Sequence, residues 1–463
     1  MREFSIRLSD RRKPLFYQIY SYFKNQIIAG QLQPGSFLPS IRTCASSMKV
    51  SKNTAEAAYQ LLASEGYVTN IPKKGFQVAD RNETPAHGQA SLSIEDNSRR
   101  LMYDFRYGNM ELDSFPFKQW NKLRNTVVAA NQSEYRVEGD PAGELTLRNE
   151  LSRLLYEARG VRAHPEQILI GSTPQQLVSL LCQLLQPHLY RIGVENPGYD
   201  GARNTFINYG FQVSPIPLDS DGLLMEQLEA SRANVMYVSP SQQFVNKMAM
   251  SEAKRQQLVH WVSRNGYLIE DDYEWEYKYE DRFLPSIQSL APDKVIYVGR
   301  ISKTLLPAAN ISYLILPYEM LSAFYAKVPE YDQPVARLDQ LTFASYVGEG
   351  YWYKHLQKMR KTYEAKRRTF FDAVSLYFGS SAEAESKDAG LHAFFTVKSG
   401  RSESELIERA LAKGVQVYGT SRYWTRRTEA YPTLLLGYGA LSGPDIRTGI
   451  RLLAEAWLEA DIR

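Results

Sequence analysis

The first 80 residues carry the apolar periods of three short helices followed by a hairpin. Between Pro14 and Gly30, apolar side chains recur every three or four residues, which predicts one amphipathic helix. Ser40 and Ser51 suit the N-cap positions of two shorter helices, and Gly66 ends the second of these. Two short helices joined by a brief turn are typical of a helix-turn-helix.

A β-hairpin is predicted directly after these helices. Residues 67–69 and 76–78 have the composition of strands, and they flank the turn sequence Pro72-Lys73-Lys74-Gly75. The hairpin therefore carries two lysines at its tip. A helix-turn-helix followed by such a hairpin is a winged helix-turn-helix, and we predict that this small domain occupies residues 1–80.

A second, larger domain is predicted at residues 103–463, after a linker at residues 81–102 that is polar and has no sustained apolar period. In the larger domain, strand-like apolar runs alternate with helical patterns. The clearest of these runs are residues 167–170, 234–238, 267–270 and 294–298. This alternation predicts an α/β domain with a mainly parallel sheet, in which ligands gather at the carboxyl ends of the strands.

The composition is that of a globular protein with more than one domain. The chain has 463 residues, of which 44% are hydrophobic and 23% are charged, and these values argue against wholesale disorder. No apolar run reaches membrane-spanning length, and the first residues lack the apolar stretch of a secretory signal. Cys44 and Cys182 lack metal-ligand spacing. We therefore expect a cytoplasmic protein with no membrane segment and no metal site.

The positive charge is concentrated in the small domain. Residues 1–80 contain 11 of the chain's 55 Lys/Arg residues and 5 of its 51 Asp/Glu residues. The remainder of the chain therefore contains 44 Lys/Arg and 46 Asp/Glu. The small domain therefore has a charge of +6, and the remainder has a charge of −2. A short module with this excess suits a partner that presents a phosphate backbone. A basic surface that only contacts solvent is the alternative on charge alone.

Residues 14–79 contain several independent motifs in one order. These are Pro14-Leu15-Phe16-Tyr17-Gln18-Ile19, Gly30-Gln31-Leu32-Gln33-Pro34-Gly35, Leu38-Pro39-Ser40-Ile41-Arg42, Val50-Ser51-Lys52-Asn53-Thr54, and Ala58-Tyr59 through Glu65-Gly66-Tyr67. With these motifs, residues 14–79 resemble the winged helix-turn-helix of GntR-family regulators over nearly their whole length. The resemblance implies a regulator that binds a double-stranded DNA operator.

The predicted DNA contacts lie in three places along the small domain. Residues 51–54 begin the third helix, where the helix dipole favours phosphates and short polar side chains reach base edges. The lysines of the hairpin tip are placed to reach the backbone or the minor groove. Glu56 departs from relatives that carry a basic residue there. The predicted DNA-binding residues are Arg42, Ser51, Lys52, Asn53, Thr54, Lys73, Lys74 and Gly75.

The larger domain contains an ordered set of short motifs from about Tyr135 to the C-terminus. They are Gly139-Asp140-Pro141-Ala142-Gly143 with Leu147-Arg148, Glu195-Asn196-Pro197-Gly198-Tyr199, Pro240-Ser241-Gln242-Gln243, Glu270-Asp271-Asp272-Tyr273, and Ser302-Lys303-Thr304-Leu305. With these motifs the domain resembles a fold-type I aminotransferase, which is an enzyme dependent on pyridoxal 5'-phosphate (PLP). The order of the two domains is similar to that of MocR/GabR-type regulators within the GntR family.

This resemblance implies a set of PLP contacts. Lys303 corresponds to the lysine that forms a Schiff base with the cofactor, and Asp271 to the acid that pairs with the pyridinium nitrogen. Tyr273 corresponds to the phenol beside the ring hydroxyl, and Tyr199 to the aromatic group that stacks on the ring. The remaining predicted contacts are Ser172, Thr173, Arg300 and Ser302.

Several positions depart from the aminotransferase pattern. Arg300 and Asn310 stand where relatives usually have a small hydroxyl and an arginine, so we expect Arg300 to supply the phosphate contact from across the site. Residues 171–175 form the predicted phosphate-binding segment, and Pro174 removes one backbone N–H from it. Residues 244–247 replace the Pro-Thr/Ser-Gly segment that is common beside the ring oxygen.

Substrate recognition also departs from the family. The strand at residues 433–438 lacks the arginine that grips a substrate carboxylate in aminotransferases. Arg203 is a candidate effector ligand from another direction, and a helix-surface charge is the alternative for it.

These observations allow three interpretations of the function of the larger domain. In the first, a homodimeric DNA-binding regulator holds PLP at Lys303 and responds to PLP, to a small amino compound, or to both. In the second, the domain is a working aminotransferase with a fused DNA-binding module, although the absent carboxylate-binding arginine counts against substrate orientation. In the third, the domain no longer binds PLP and serves as a dimerisation scaffold or binds another effector.

Overall fold

The computed structural model describes residues 14–79, 102–111, 114–130, 132–243, 249–277, 284–327, 331–385, 391–425 and 431–458. Its contacts divide the chain into two compact units, Met1–Asn97 and Ser98–Arg463. The predicted linker lies outside the described residues except for Met102, and so do residues 244–247. Each unit is described by itself.

In its described residues, 14–79, the first unit has three helices and a hairpin. Its elements are α1 (Leu15–Ile28), α2 (Ile41–Met48), α3 (Lys52–Ser64), β1 (Val68–Ile71) and β2 (Gly75–Val78). The strands β1 and β2 pair in antiparallel register, with Val68 opposite Val78 and Ile71 opposite Gly75. The predicted helix-turn-helix with its hairpin is therefore confirmed.

Local capping fixes where these helices begin. The Oγ atoms of Ser40 and Ser51 accept hydrogen bonds from the backbone N–H groups of Thr43 and Thr54, each at 3.1 Å. These bonds satisfy N–H groups that have no partner within the helix. The helices then pack around a core that includes Tyr59, whose hydroxyl donates to the carbonyl of Pro39 at 3.0 Å.

The second unit alternates strands and helices along most of its length. Its strands are β3 (Tyr103–Asp104), β4 (Ile168–Gly171), β5 (Arg191–Asn196), β6 (Gln212–Asp219), β7 (Gly222–Leu223), β8 (Val235–Val238), β9 (Tyr267–Asp271), β10 (Val295–Arg300), β11 (Ser312–Ile315), β12 (Ala382–Glu385), β13 (His392–Val397), β14 (Val415–Gln416), β15 (Tyr418–Gly419) and β16 (Thr433–Gly437). Its helices are α4 (Phe117–Ala130), α5 (Leu145–Arg159), α6 (Pro174–Leu184), α7 (Asp200–Asn208), α8 (Met225–Ala230), α9 (Glu252–Asn265), α10 (Ser302–Leu305), α11 (Tyr318–Lys327), α12 (Arg337–Gly348), α13 (Tyr351–Phe378), α14 (Glu403–Ala412) and α15 (Gly443–Leu458).

The main sheet has the strand order β4-β11-β10-β9-β8-β5-β6-β7. The pairs from β10 through β9, β8 and β5 to β6 are parallel, whereas β11 pairs antiparallel with β10 and β4. The predicted α/β domain with a mainly parallel sheet is confirmed. Asp271 lies opposite Val298 in this register, so the carboxyl ends of β9 and β10 lie side by side.

Hydrophobic clusters cover both faces of this sheet. In β10, Ile296 and Val298 belong to one cluster, and Tyr297 between them belongs to another. This alternation is expected of a strand that is buried on both faces. A smaller antiparallel sheet of β12, β13, β16 and β15 packs with α13, α14 and α15 in a separate cluster.

Among the described residues, no helix is both long enough and apolar enough to cross a membrane. The same part of the chain contains no group of three or more His, Cys, Asp or Glu side chains placed to hold a metal ion.

Candidate functional site

The first unit has a groove of about 560 Å³ between its second helix, its third helix and its hairpin. Four of the predicted DNA-binding residues line this groove, namely Arg42, Lys73, Lys74 and Gly75. The three basic side chains are exposed. Glu56 lines the same groove, so an acidic side chain lies among these basic residues at the position where relatives carry a basic one.

The other four predicted DNA-binding residues lie at the start of α3. The hydroxyls of Ser51 and Thr54 lie 2.7 Å apart and bond to each other, so they form the cap of the helix. Lys52 and Asn53 are exposed, and they extend the polar surface at this end of α3. Their contact with DNA stays a prediction.

The salt dependence of DNA binding tests the role of the hairpin tip. We expect Lys74→Ala to lower the slope of log affinity against log salt by roughly 0.9, because each phosphate contact releases about that many counterions. Affinity for an arbitrary 30-base-pair duplex, measured at several salt concentrations, reports the slope without knowledge of the operator.

The exposed Lys122→Ala in α4 serves as the control for this measurement. Lys74 is preferred over Lys73 because Lys73 has a positive φ of 64°, where a substitution also perturbs the turn. An unchanged slope for Lys74→Ala would contradict a phosphate contact at this position.

The second unit has a cavity of about 240 Å³ near the carboxyl ends of its central parallel strands. This volume is below the ~300–1,000 Å³ of pockets for drug-sized ligands, so the cavity suits a compact ligand. Its lining residues are Tyr107, Pro174, Tyr199, Asp200, Asp271, Tyr273, Glu274, Arg300, Lys303, Arg422 and Tyr423. The structure thus brings together five predicted cofactor contacts, which are Tyr199, Asp271, Tyr273, Arg300 and Lys303.

The other three predicted cofactor contacts are not among these lining residues. Thr173 is the N-cap of α6, and its Oγ1 accepts from the N–H of Gln176 at 3.1 Å. The Oγ of Ser302 accepts from the N–H of Ile311 at 2.8 Å, within the buried interior. The backbone N–H of Ser172 donates to the side chain of Gln176 at 3.2 Å. These groups serve the local fold, and a role in cofactor binding stays a prediction for them.

Lys303 follows β10 in the short helix α10, and its side chain is only 12% exposed. Its Nζ lies 2.8 Å from Oε1 of Glu274 and donates a hydrogen bond to the hydroxyl of Tyr107. Burial lowers the pKa of Lys303, because a charged amine is poorly solvated in the interior, although Glu274 acts in the opposite direction. A lysine in this setting is suited to react as a neutral amine.

Asp271 ends β9 and is also buried. The hydroxyl of Tyr237 donates to its Oδ2 at 2.5 Å. Burial raises the pKa of Asp271 to about 6, and this effect outweighs the opposing hydrogen bond from Tyr237. The carboxyl group therefore gains stabilisation from any cationic ring nitrogen that enters the cavity, since such a partner favours its charged form.

Arg300 is the last residue of β10. Its side chain bonds to Asn310, which stands where relatives usually have an arginine. Its Nη2 donates to Oδ1 of Asn310 at 2.8 Å and to the carbonyl of Pro307 at 3.1 Å. Arg300 is predicted to supply the phosphate contact from across the site, and the structure places its side chain in direct contact with that of Asn310. Burial lowers the pKa of Arg300.

Arg203 lies outside the cavity lining. Its guanidinium donates to the backbone carbonyls of Arg422 and Tyr423, at 2.8 and 3.4 Å. It therefore holds the loop that carries these two lining residues. Its role as a direct effector ligand stays a prediction, whereas its described contacts are structural.

Arg422 is a second arginine that lines the cavity, besides Arg300. Its Nε and Nη2 both bond to Oδ2 of Asp200, at 2.7 and 2.6 Å. The Arg422 side chain is 68% exposed, whereas that of Asp200 is only 8% exposed. The Arg422 guanidinium is thus held in position by a buried carboxylate and remains open to solvent.

Sequence reasoning missed several residues of the cavity, namely Tyr107, Glu274, Arg422 and Tyr423. Glu274 directly follows Tyr273, and its position after the acidic end of β9 was an available signal. Tyr107 and Lys303 are 196 positions apart, and no local pattern connects them.

Comparisons with known proteins agree with this division into two units. The family described as bacterial regulatory proteins, gntR family, matches residues 15–78. The HTH-type transcriptional regulator YdeL of Bacillus subtilis is 36% identical over 454 residues, covering 96% of this chain and 97% of its own. The probable rhizopine catabolism regulatory protein MocR of Rhizobium meliloti is 26% identical over 468 residues, covering 97% and 95%.

Among solved structures, the multiple substrate aminotransferase of Thermococcus profundus is similar to most of this chain. Its TM-score is 0.71 at 22% identity, with 81% of this chain and 96% of that chain covered. At this identity the likeness shows the fold, which is that of a fold-type I aminotransferase.

Proposed function

The chain belongs to the GntR-family transcription regulators of MocR type, which join a helix-turn-helix to an aminotransferase-like domain, and from this premise we propose that it is a PLP-responsive DNA-binding regulator. The observation that carries the proposal is the convergence of Lys303, Asp271 and Arg300 on one cavity. These side chains supply an amine, a carboxyl group and a guanidinium, which match the aldehyde, the ring nitrogen and the phosphate of PLP.

The residues of the cavity fit PLP in detail. Lys303 would hold the cofactor covalently, and Asp271 would pair with the ring nitrogen. Arg300 keeps its buried Nε without a hydrogen-bond partner while Nη2 is bonded, so it retains a donor for an anion. Tyr199 and Tyr273 would enclose the ring. When bound, PLP supplies an aldehyde that reacts reversibly with primary amines, which allows a small amino compound to be sensed.

We also infer a homodimer, because a helix-turn-helix reads two half-sites best when a two-fold axis relates two copies. Sedimentation equilibrium at micromolar concentration measures this state directly, and a monomer throughout that range would contradict the inference. Because β16 (Thr433–Gly437) carries no arginine, the carboxylate of an amino compound needs a contact from another element.

Titration of the purified protein with PLP tests the proposed function. We expect a saturable visible absorption band and, after borohydride reduction, a mass increase on the peptide that contains Lys303. The affinity of the protein for its own upstream DNA should differ between the PLP-free and PLP-loaded forms. The proposal fails if saturating PLP produces neither the band nor the trapped adduct.

Arg422 is proposed to recognise the acidic group of the amino compound. We expect Arg422→Gln to weaken binding of 5-aminopentanoate by about 10- to 100-fold, the scale of one lost charge-assisted hydrogen bond. Binding of pentylamine, which has no carboxylate, should change little. Both probes are followed through the visible spectrum of the PLP-loaded protein.

Arg451→Gln is the matched control for this variant, because Arg451 is also an exposed arginine in an ion pair, with Glu455. Equal loss of both probes in Arg422→Gln would show that the substitution damages the cavity in general, and the role in carboxylate recognition would be rejected.

A further inference from the structure

Lys303 has an acidic partner that the proposed PLP contacts do not use. Oε1 of Glu274 lies 2.8 Å from Nζ of Lys303, and the two side chains are only 1% and 12% exposed. Oε2 of the same carboxylate lies 3.8 Å from Nδ1 of His392. The second carboxylate oxygen therefore lies next to another group that can carry a proton.

The backbone of Glu274 supports a specific placement of this carboxylate. Glu274 has a φ of 57°, in the left-handed region that side-chain-bearing residues adopt at an energetic cost. Such conformations persist only where the surrounding structure determines them, and they concentrate at functional sites. Glu274 lines the cavity together with Lys303, so the unusual conformation occurs within the site itself.

We propose that Glu274 is the proton partner of Lys303. The carboxylate of Glu274 holds the Lys303 amine as an ammonium ion, and it accepts the proton when the amine must become nucleophilic. In this step one N–H bond of the Lys303 ammonium breaks and one O–H bond forms on Oε1 of Glu274. An ion pair is thereby converted into a neutral amine and a neutral carboxyl group. Because no net charge leaves the buried site, the transfer avoids the cost of isolating one ion there. Its use in cofactor attachment rests on the proposed function.

The other charged and titratable groups near Lys303 differ from Glu274 in distance or sign. Arg300 disfavours the ammonium through its own positive charge, and burial acts in the same direction. Within the described part of the chain, Glu274 is the acidic residue that pairs with Nζ within 4.0 Å. The remaining groups that face this pair are Tyr107, Asp271, Tyr273, Glu276 and His392.

The pH profile of Lys303 reactivity tests the proposal without PLP. The protein is pulsed with acetic anhydride over a range of pH, and mass spectrometry gives the acetylation rate of Lys303 relative to the exposed Lys122. Since a carboxylate stabilises an ammonium ion, we expect Glu274→Gln to lower the midpoint of the profile by at least about one unit. One unit corresponds to about tenfold more neutral amine at a fixed pH below both midpoints.

Glu276→Gln provides a matched control two residues away. Glu276 is equally buried, but burial raises its pKa to about 8, so this group is mostly protonated at neutral pH. Glu276 raises the pKa of Lys303 as Glu274 does, but more weakly, so its replacement is expected to lower the Lys303 midpoint less than Glu274→Gln does. Glu274→Asp retains the charge, and its midpoint should lie closer to the wild-type value than that of Glu274→Gln.

The possible results separate the two proposals. An unchanged midpoint in Glu274→Gln, or equal shifts in Glu274→Gln and Glu276→Gln, overturns the proton-partner role. A shift in Glu274→Gln that is larger than the shifts in Glu276→Gln and Glu274→Asp supports it. If the variants show these shifts but the wild-type protein takes up no PLP, the proton partnership stands and the proposed cofactor function fails.

Discussion

Lys303→Ala protein is expected to show no visible band with PLP and no borohydride-trapped adduct, because its only change removes the amine that faces the cavity. PLP retains its other contacts, including those proposed for Asp271 and Arg300. Weak and reversible binding should therefore persist, and it can be followed by equilibrium dialysis. Covalent attachment should fall below detection, which makes this the largest expected effect on the cofactor.

A second buried lysine provides the control for this experiment. The side chain of Lys366 is 9% exposed, and its Nζ donates to the carbonyl of Gly439 at 2.8 Å and pairs with Glu111 at 2.6 Å. Lys366→Ala should lower stability but keep the visible band. If Lys303→Ala kept the band as well, another amine would be the attachment site.

Asp272→Ala is expected to destabilise the second unit by about 3–5 kcal/mol, because it leaves the buried Arg159 without its counter-ion. Nε of Arg159 lies 2.7 Å from Oδ2 of Asp272, and the side chains of both are nearly inaccessible, at 3% and 0%. The hydroxyl of Tyr297 donates to the same oxygen at 2.5 Å. Denaturant unfolding followed by circular dichroism measures the change.

Asp272, the neighbour of Asp271, is also held through its backbone, since its N–H donates to the carbonyl of Val298 at 3.0 Å. Arg153→Ala is a suitable control, because Arg153 forms exposed ion pairs within α5 that contribute about 0–1 kcal/mol. The double replacement Arg159→Met with Asp272→Leu should recover much of the lost stability, as no unpaired buried charge remains. Equal effects of Asp272→Ala and Arg153→Ala would contradict the assignment.

Local chemistry made the first unit largely predictable. Ser40 and Ser51 act as N-caps through bonds to groups three residues ahead, and such short-range bonds are visible as a sequence pattern. The buried strands of the second unit were equally visible, because a strand covered on both faces is apolar along its whole length. The sequence also located Lys303 and Asp271 at strand ends, through the family motif.

The sequence could not identify the partners of these residues. Glu274 was adjacent to a predicted contact, yet only its left-handed backbone conformation and the turn after β9 place its carboxylate against Lys303. Arg203 was predicted as an effector ligand, and two of its donors bond to the carbonyls of a loop more than 200 positions away, a contact that no local pattern indicates. That loop, in turn, contributes Arg422 to the cavity.

The amino-acid sequence by itself therefore determined the caps, the helix and strand periods, the separation of charge between the two domains and the chemistry at the ends of two strands. Each of these depends on neighbours within a few residues or on composition. The tertiary structure alone decided which distant side chains meet at the cavity, including Tyr107, Glu274 and Arg422. Such meetings depend on how strands and loops pack across hundreds of positions, and the periodicity of a single segment carries no information about them.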